Sequence, residues 1–88
     1  MHVVLASRTF EKQFRKLARS EQERIRKAWR TLADDPFTPR SGADIKQLVG
    51  TEPAKLRIRV GDWRIIYCVD GNQVKLIELF RRGRGYRE

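Results

Sequence analysis

Cysteine occurs once in this chain, at Cys68, and histidine once, at His2. A lone cysteine excludes an intramolecular disulfide and offers no thiolate cluster to zinc. Cys68 sits inside an apolar run, where it reads as a buried, inert thiol. No stretch approaches the roughly 20 consecutive apolar residues of a membrane span. The N-terminus lacks a signal-peptide pattern, so a cytoplasmic protein is expected. No carboxylate set has the look of a metal site, since Asp34 and Asp35 flank a helix end and read as solvated. Neither metal nor cofactor is expected. Acidic residues are scarce too, 11 against 20 Lys plus Arg.

That imbalance is the strongest compositional signal. A formal charge of +9 on 88 residues favours association with polyanions. Residues 54–88 carry 9 basic and 4 acidic side chains, a denser excess than the 11 and 7 of residues 1–53. Fourteen of the 20 basic residues are Arg, whose planar fork suits phosphate. A hydrophobic content of 40% supports one core, hence a single domain over residues 1–88.

Residues 2–6 form a β-branched run that predicts a first strand. Ser7 is placed to cap a helix in which Phe10, Phe14, Leu17 and Ala18 recur at helical spacing. Ser20 and Glu23 fit a capping box for a second helix, which buries Ile25, Ala28, Trp29 and Leu32 and ends near Asp34 and Asp35, ahead of Pro36. All three prolines fall in residues 36–53, which read as a surface connection with a short ordered piece over residues 45–49. From Ala54 the period becomes 2. Leu56, Ile58 and Val60 alternate with Lys55, Arg57 and Arg59. Residues 63–69 read as a central strand covered on both sides, Asp70-Gly71-Asn72 as a hairpin turn, and residues 74–80 as the last strand. The expected fold is α+β: an N-terminal strand, an antiparallel helix hairpin, then an antiparallel β-meander (β-α-α-β-β-β). The helices lie on one face of the sheet and the other face is open.

Arg57 and Arg59 leave the same side of one strand, about 7 Å apart. The Gly61-Asp62 turn brings Arg64 beside them, and Arg82 and Tyr86 follow from the end of the last strand. These five are expected to meet at one end of the open face. Like charges this close repel, which suggests an anionic partner. Pairing with Asp62, Asp70 or Glu78 is the alternative, but four acids cannot neutralise nine bases. Arginine can stabilise the charge that develops on a phosphorane, yet it is a poor general base. Tyr86 is the available acid or base, provided that neighbouring arginines lower its pKa from about 10. His2 belongs to the opposite end of the chain.

The order strand, helix pair, meander resembles the RelE/ParE toxin superfamily, on its RelE side. The segment Val-Gly-Asp-Trp-Arg-Ile-Ile-Tyr (residues 60–67) is similar to the family's Arg-X-Gly-Asp-Tyr-Arg-(Val/Ile)-(Ile/Val)-Tyr, and the ending Arg-Arg-Gly-Arg-Gly-Tyr-Arg completes the likeness. The resemblance implies a toxin of a type II toxin–antitoxin pair that cleaves messenger RNA in the ribosomal A site, without metal, through attack by the 2′-hydroxyl. It assigns catalytic roles to Arg57, Arg59, Arg64, Arg82 and Tyr86. The other basic residues of this stretch, Lys55, Arg81, Arg84 and Arg87, are expected to bind RNA. Many relatives carry His-Arg where this chain has Arg81-Arg82, and arginines occupy both positions that are often lysine. The implied partners are the ribosome, messenger RNA and a cognate antitoxin, acidic and partly disordered when free, in a toxin–antitoxin hetero-oligomer. A ParE-like gyrase inhibitor and a silent RNA- or ribosome-binding module remain as alternatives.

Overall fold

Five strands and two helices follow one another as β1 (Val3–Ala6), α1 (Arg8–Arg15), α2 (Arg19–Asp34), β2 (Asp44–Gln47), β3 (Leu56–Val60), β4 (Trp63–Asp70) and β5 (Gln73–Arg81). The computed structural model describes residues 1–51 and 54–82. Arg84, Tyr86 and Arg87 lie outside the described residues. The α+β class and the expected element order hold, with β2 added inside the proline-bearing connection. The sheet order is β1-β5-β4-β3-β2, parallel between β1 and β5 and antiparallel elsewhere.

Both helices bury their apolar stripes on one face of this sheet. Phe10 of α1 and Ile25, Ala28 and Leu32 of α2 share a core with Ile58, Ile65, Tyr67, Val74, Leu76 and Leu79. Phe14 and Trp29 stack at 5.1 Å between the helices, as core rather than as a base-stacking set. Ser7 caps α1, its Oγ accepting from the Phe10 N–H at 3.0 Å. The start of α2 differs from expectation. Its cap is Ala18, and Glu21 reaches back to the Ala18 N–H at 3.2 Å. Ser20 and Glu23 therefore lie inside the helix, because α1 ends at Arg15 and the turn is shorter than the Ser20 signal implies.

The far end of α2 is closed by side chains from the chain that follows. Arg40 donates to the carbonyls of Thr31, Asp35 and Thr38 at 3.1, 3.1 and 2.6 Å. The Thr31 carbonyl also accepts the Asp35 N–H at 3.1 Å, so Arg40 adds a second bond at the helix end and ties it to the exit turn. The Asp35 carboxylate accepts the N–H groups of Phe37 and Thr38, which together with the Thr38 side chain hold it at about 2. The Tyr67 hydroxyl donates to the Pro36 carbonyl at 2.7 Å, and burial pushes this phenol well above its ordinary value.

One irregularity sets the orientation of everything at the end of β5. The β4–β5 register shifts between Ile66 and Tyr67, so Ile65 pairs with Leu79 and Tyr67 with Leu76, leaving Ile77 as an extra residue. Such a bulge reverses which side chains face the core beyond it. Its polar groups are satisfied by the helix side: the Ser7 hydroxyl donates to the Ile77 carbonyl at 2.6 Å, and Gln13 Oε1 accepts the Leu79 N–H at 2.7 Å. Among the described residues, no helix is long and apolar enough to cross a membrane.

Candidate nucleic-acid interface

The sheet face away from the helices carries two rows of side chains at one end. Direct cross-strand partners share a face, so the register defines the first row as Asp44, Arg59, Arg64 and Phe80 across β2, β3, β4 and β5. The second row is Lys46, Arg57, Ile66 and Glu78. With strands about 4.8 Å apart, each row spans about 14 Å. Arg57, Arg59 and Arg64 thus converge as the sequence predicts. Arg82 shares the parity of Phe80, and its N–H donates to the Asp62 carbonyl at 2.7 Å, tying the end of β5 to the β3–β4 turn beside Arg64. Gly61 makes that turn with φ 59. Lys55 precedes β3 with the parity of Arg57. Tyr86 falls outside the described residues.

This face is less open than the alternation of β3 implies. Leu48, Ile66 and Phe80 form a second small core on it, with Ile77 packed alongside. Arg57 and Arg64 are accordingly buried, at 6% and 8% exposure, so their guanidiniums are held rather than solvated. Arg57 Nη1 donates to the Asp44 carbonyl at 2.8 Å and to Asp44 Oδ1 at 3.0 Å. Arg59 Nη1 lies 3.8 Å from Asp44 Oδ2. Asp44 thus lies against both Arg57 and Arg59. Asp70 pairs with Lys75 instead, at 3.3 Å.

Arg81 lies on the other face of the sheet from Arg57, Arg59 and Arg64. The bulge turns it to the helix side, where its guanidinium lies 5.4 Å from the Trp63 ring and 3.8 Å from Glu21. The Trp63 indole N–H donates to the same carboxylate at 3.0 Å, which, with the Ala18 N–H, holds Glu21 below its ordinary range. Cys68 is half-buried, not fully buried, and pairs across the strands with Lys75. His2 packs edge-on to Phe37 at 6.0 Å, and its N–H bonds the Ala33 carbonyl, at the C-terminal end of α2. Among the described residues no three His, Cys, Asp or Glu side chains gather into a metal-binding group.

Asp44, Lys46, Leu48 and Phe80 are site residues that the sequence reading did not single out. Only the exposed-buried-exposed pattern of Asp44, Ile45 and Lys46 hints at a strand there, and four residues are too few for alternation to stand out.

The sequence matches, over residues 4–86, the family model of the ParE toxin of type II toxin–antitoxin systems, parDE. The chain belongs to the RelE/ParE toxin superfamily. This toxin is similar to the Pyrococcus horikoshii protein solved as an archaeal RelE–RelB complex, with 28% identity, a TM-score of 0.77, and coverage of 96% of this chain and 98% of that one. The RelB–RelE complex of Methanococcus jannaschii matches at 23% identity with a TM-score of 0.72 over 88% of each chain. The isolated E. coli RelE toxin matches at 20% identity with a TM-score of 0.71, covering 97% of this chain and 88% of that one. These last two share the fold. No curated protein matches the sequence.

Proposed function

We propose that this toxin is an endoribonuclease that cleaves messenger RNA in the ribosomal A site through attack by the 2′-hydroxyl. The observation that carries the reading is the convergence of Arg57, Arg59 and Arg64 on one sheet face, with Arg82 tethered at the same end. Arg59 and Arg64 are direct cross-strand neighbours, so a phosphate between them meets two guanidinium charges at once. A phosphate there receives charge-assisted, forked hydrogen bonds that strengthen as negative charge builds on its oxygens. The buried setting of Arg64 removes competing water and holds the donor in position. No metal or cofactor enters this scheme. The matched P. horikoshii and M. jannaschii structures are toxin–antitoxin complexes, and a cognate acidic antitoxin that covers this +9 surface is the natural neutralising partner here.

The test is addition of the purified toxin to ribosomes paused on a short message, with cleavage read by primer extension and end-group analysis. Cutting in the A-site codon that leaves a 2′,3′-cyclic phosphate supports the reading; intact message overturns it. A second reading, inhibition of DNA gyrase, is favoured by the ParE designation of the matched family model. Loss of supercoiling by gyrase with message left intact would select it.

A further inference from the structure

We propose that the Asp44 carboxylate is the general base of RNA cleavage, removing the proton of the attacking 2′-hydroxyl; this rests on the ribonuclease reading above. The arginines bind and stabilise charge, but they stay protonated and cannot accept that proton. His2 packs at the far end of α2. Tyr67 is buried on the helix side, its hydroxyl committed to Pro36. Glu78 lies in the second row, two strands and about 10 Å from Arg57. Asp44 is a proton acceptor in direct contact with two of the arginines, Arg57 and Arg59.

Its geometry suits the task. Each carboxylate oxygen is oriented by a different guanidinium, Oδ1 by Arg57 at 3.0 Å and Oδ2 by Arg59 at 3.8 Å. The side chain remains 57% exposed, which leaves lone pairs directed at solvent. Arg57 also holds the Asp44 carbonyl at 2.8 Å, so the residue is anchored through its backbone as well as its side chain. A phosphate midway between Arg59 and Arg64 sits about one and a half strand spacings, about 7 Å, from the strand that carries Asp44. That leaves room for the ribose whose 2′-oxygen attacks.

In the step itself, the 2′-oxygen bonds to phosphorus as the bond from phosphorus to the 5′-oxygen breaks. The 2′-hydroxyl proton passes to Asp44, and the leaving 5′-oxygen takes a proton from water. The products are a 2′,3′-cyclic phosphate and a 5′-hydroxyl, and Asp44 returns its proton to solvent.

A carboxylate that only positions Arg57 and Arg59 would leave a different signature. Asp44→Asn keeps a hydrogen-bond acceptor and removes one negative charge from a polyanion site. Single-turnover cleavage should therefore fall about 10²–10⁴-fold. Binding of a message carrying a 2′-deoxy nucleotide at the cut site should hold or tighten. Asp44→Glu should recover most of the lost rate, and Asp62→Asn, the same charge change in the adjacent turn, should cleave like the wild type. Cleavage by Asp44→Asn within about threefold of wild type overturns the assignment. So does a loss of cleavage that is matched by weaker binding and not restored in Asp44→Glu. A wild-type protein that cuts no RNA overturns the ribonuclease reading itself, and this step with it.

Discussion

The Arg81 guanidinium lies 5.4 Å from the centre of the Trp63 ring, on the opposite side of the sheet from Arg64. Arg81 and Arg64, close to each other at one end of the sheet, thus belong to opposite faces of it. Arg81→Ala should leave cleavage close to wild type and cost about 0.5–1 kcal/mol of stability, the usual worth of an exposed cation–π contact. Arg64→Ala should slow cleavage about 10²–10³-fold, as expected for loss of one donor to the developing charge. Arg64 is buried, so circular dichroism must accompany the assay. Equal losses of cleavage in both variants would overturn the partition of the two faces.

Gln13 supplies the acceptor for the Leu79 N–H at 2.7 Å, just beyond the bulge. Gln13→Ala leaves that amide without its partner and should cost about 1–3 kcal/mol. In a chain of this size that is a fall of several degrees in Tm, about 4–8 °C per kcal/mol. An unchanged melting curve would mean that water replaces the glutamine.

Tyr67 is fully buried, and its hydroxyl holds the Pro36 carbonyl at 2.7 Å. Tyr67→Phe keeps the ring and removes the donor, so it should destabilise the fold by about 1–3 kcal/mol through the stranded carbonyl. Urea titration at constant m measures it. The sheet face bearing Arg57 and Arg64 should keep its RNA affinity, because the lost bond is on the helix side.

Asp35 titrates at about 2 in the folded chain, against an ordinary 3.8, through hydrogen bonds from Thr38 and the Phe37 and Thr38 amides. A lowered folded value means that the ionised form stabilises the fold above the ordinary value, and that this contribution fades as pH falls toward 2. The Tm gap between wild type and Asp35→Ala should therefore be full at neutral pH and narrow as pH falls from about 4 to 2. A gap that stays constant over that range would contradict the assignment.

Much of this was legible in the order of residues. The change of period from 3.6 to 2 at Ala54 separates helices from meander, and Leu56, Ile58 and Val60 fall on the helix side as their alternation requires. The convergence of Arg57, Arg59 and Arg64 follows from that alternation and one turn. What could not be read depends on long-range pairing. β2 is a four-residue edge strand whose only signal is Ile45 between polar neighbours, so Asp44 reads as loop until β3 pairs with it. The bulge at Ile77 leaves no sequence mark, because Ile77, Leu79 and Phe80 are all acceptable on either face. The sides taken by Arg81 and Arg82 therefore stay ambiguous until register is known. The start of α2 was missed because Ala18 is a poor cap by type, and Glu21 compensates from within the helix.

The bulge also bears on how this chain tolerates change. Deleting Ile77 would remove the bulge and nothing else: Leu76 would stay opposite Tyr67 and Glu78 opposite Ile66, so every side chain beyond would keep its partner and its face. A second deletion would find no extra residue to absorb it and would slip the end of β5 by one position, carrying Phe80 to the helix side and Arg81 to the place of Phe80 opposite Arg64. The strand thus holds one residue of slack, and a single deletion at Ile77 should spare the arginine face where a second would not.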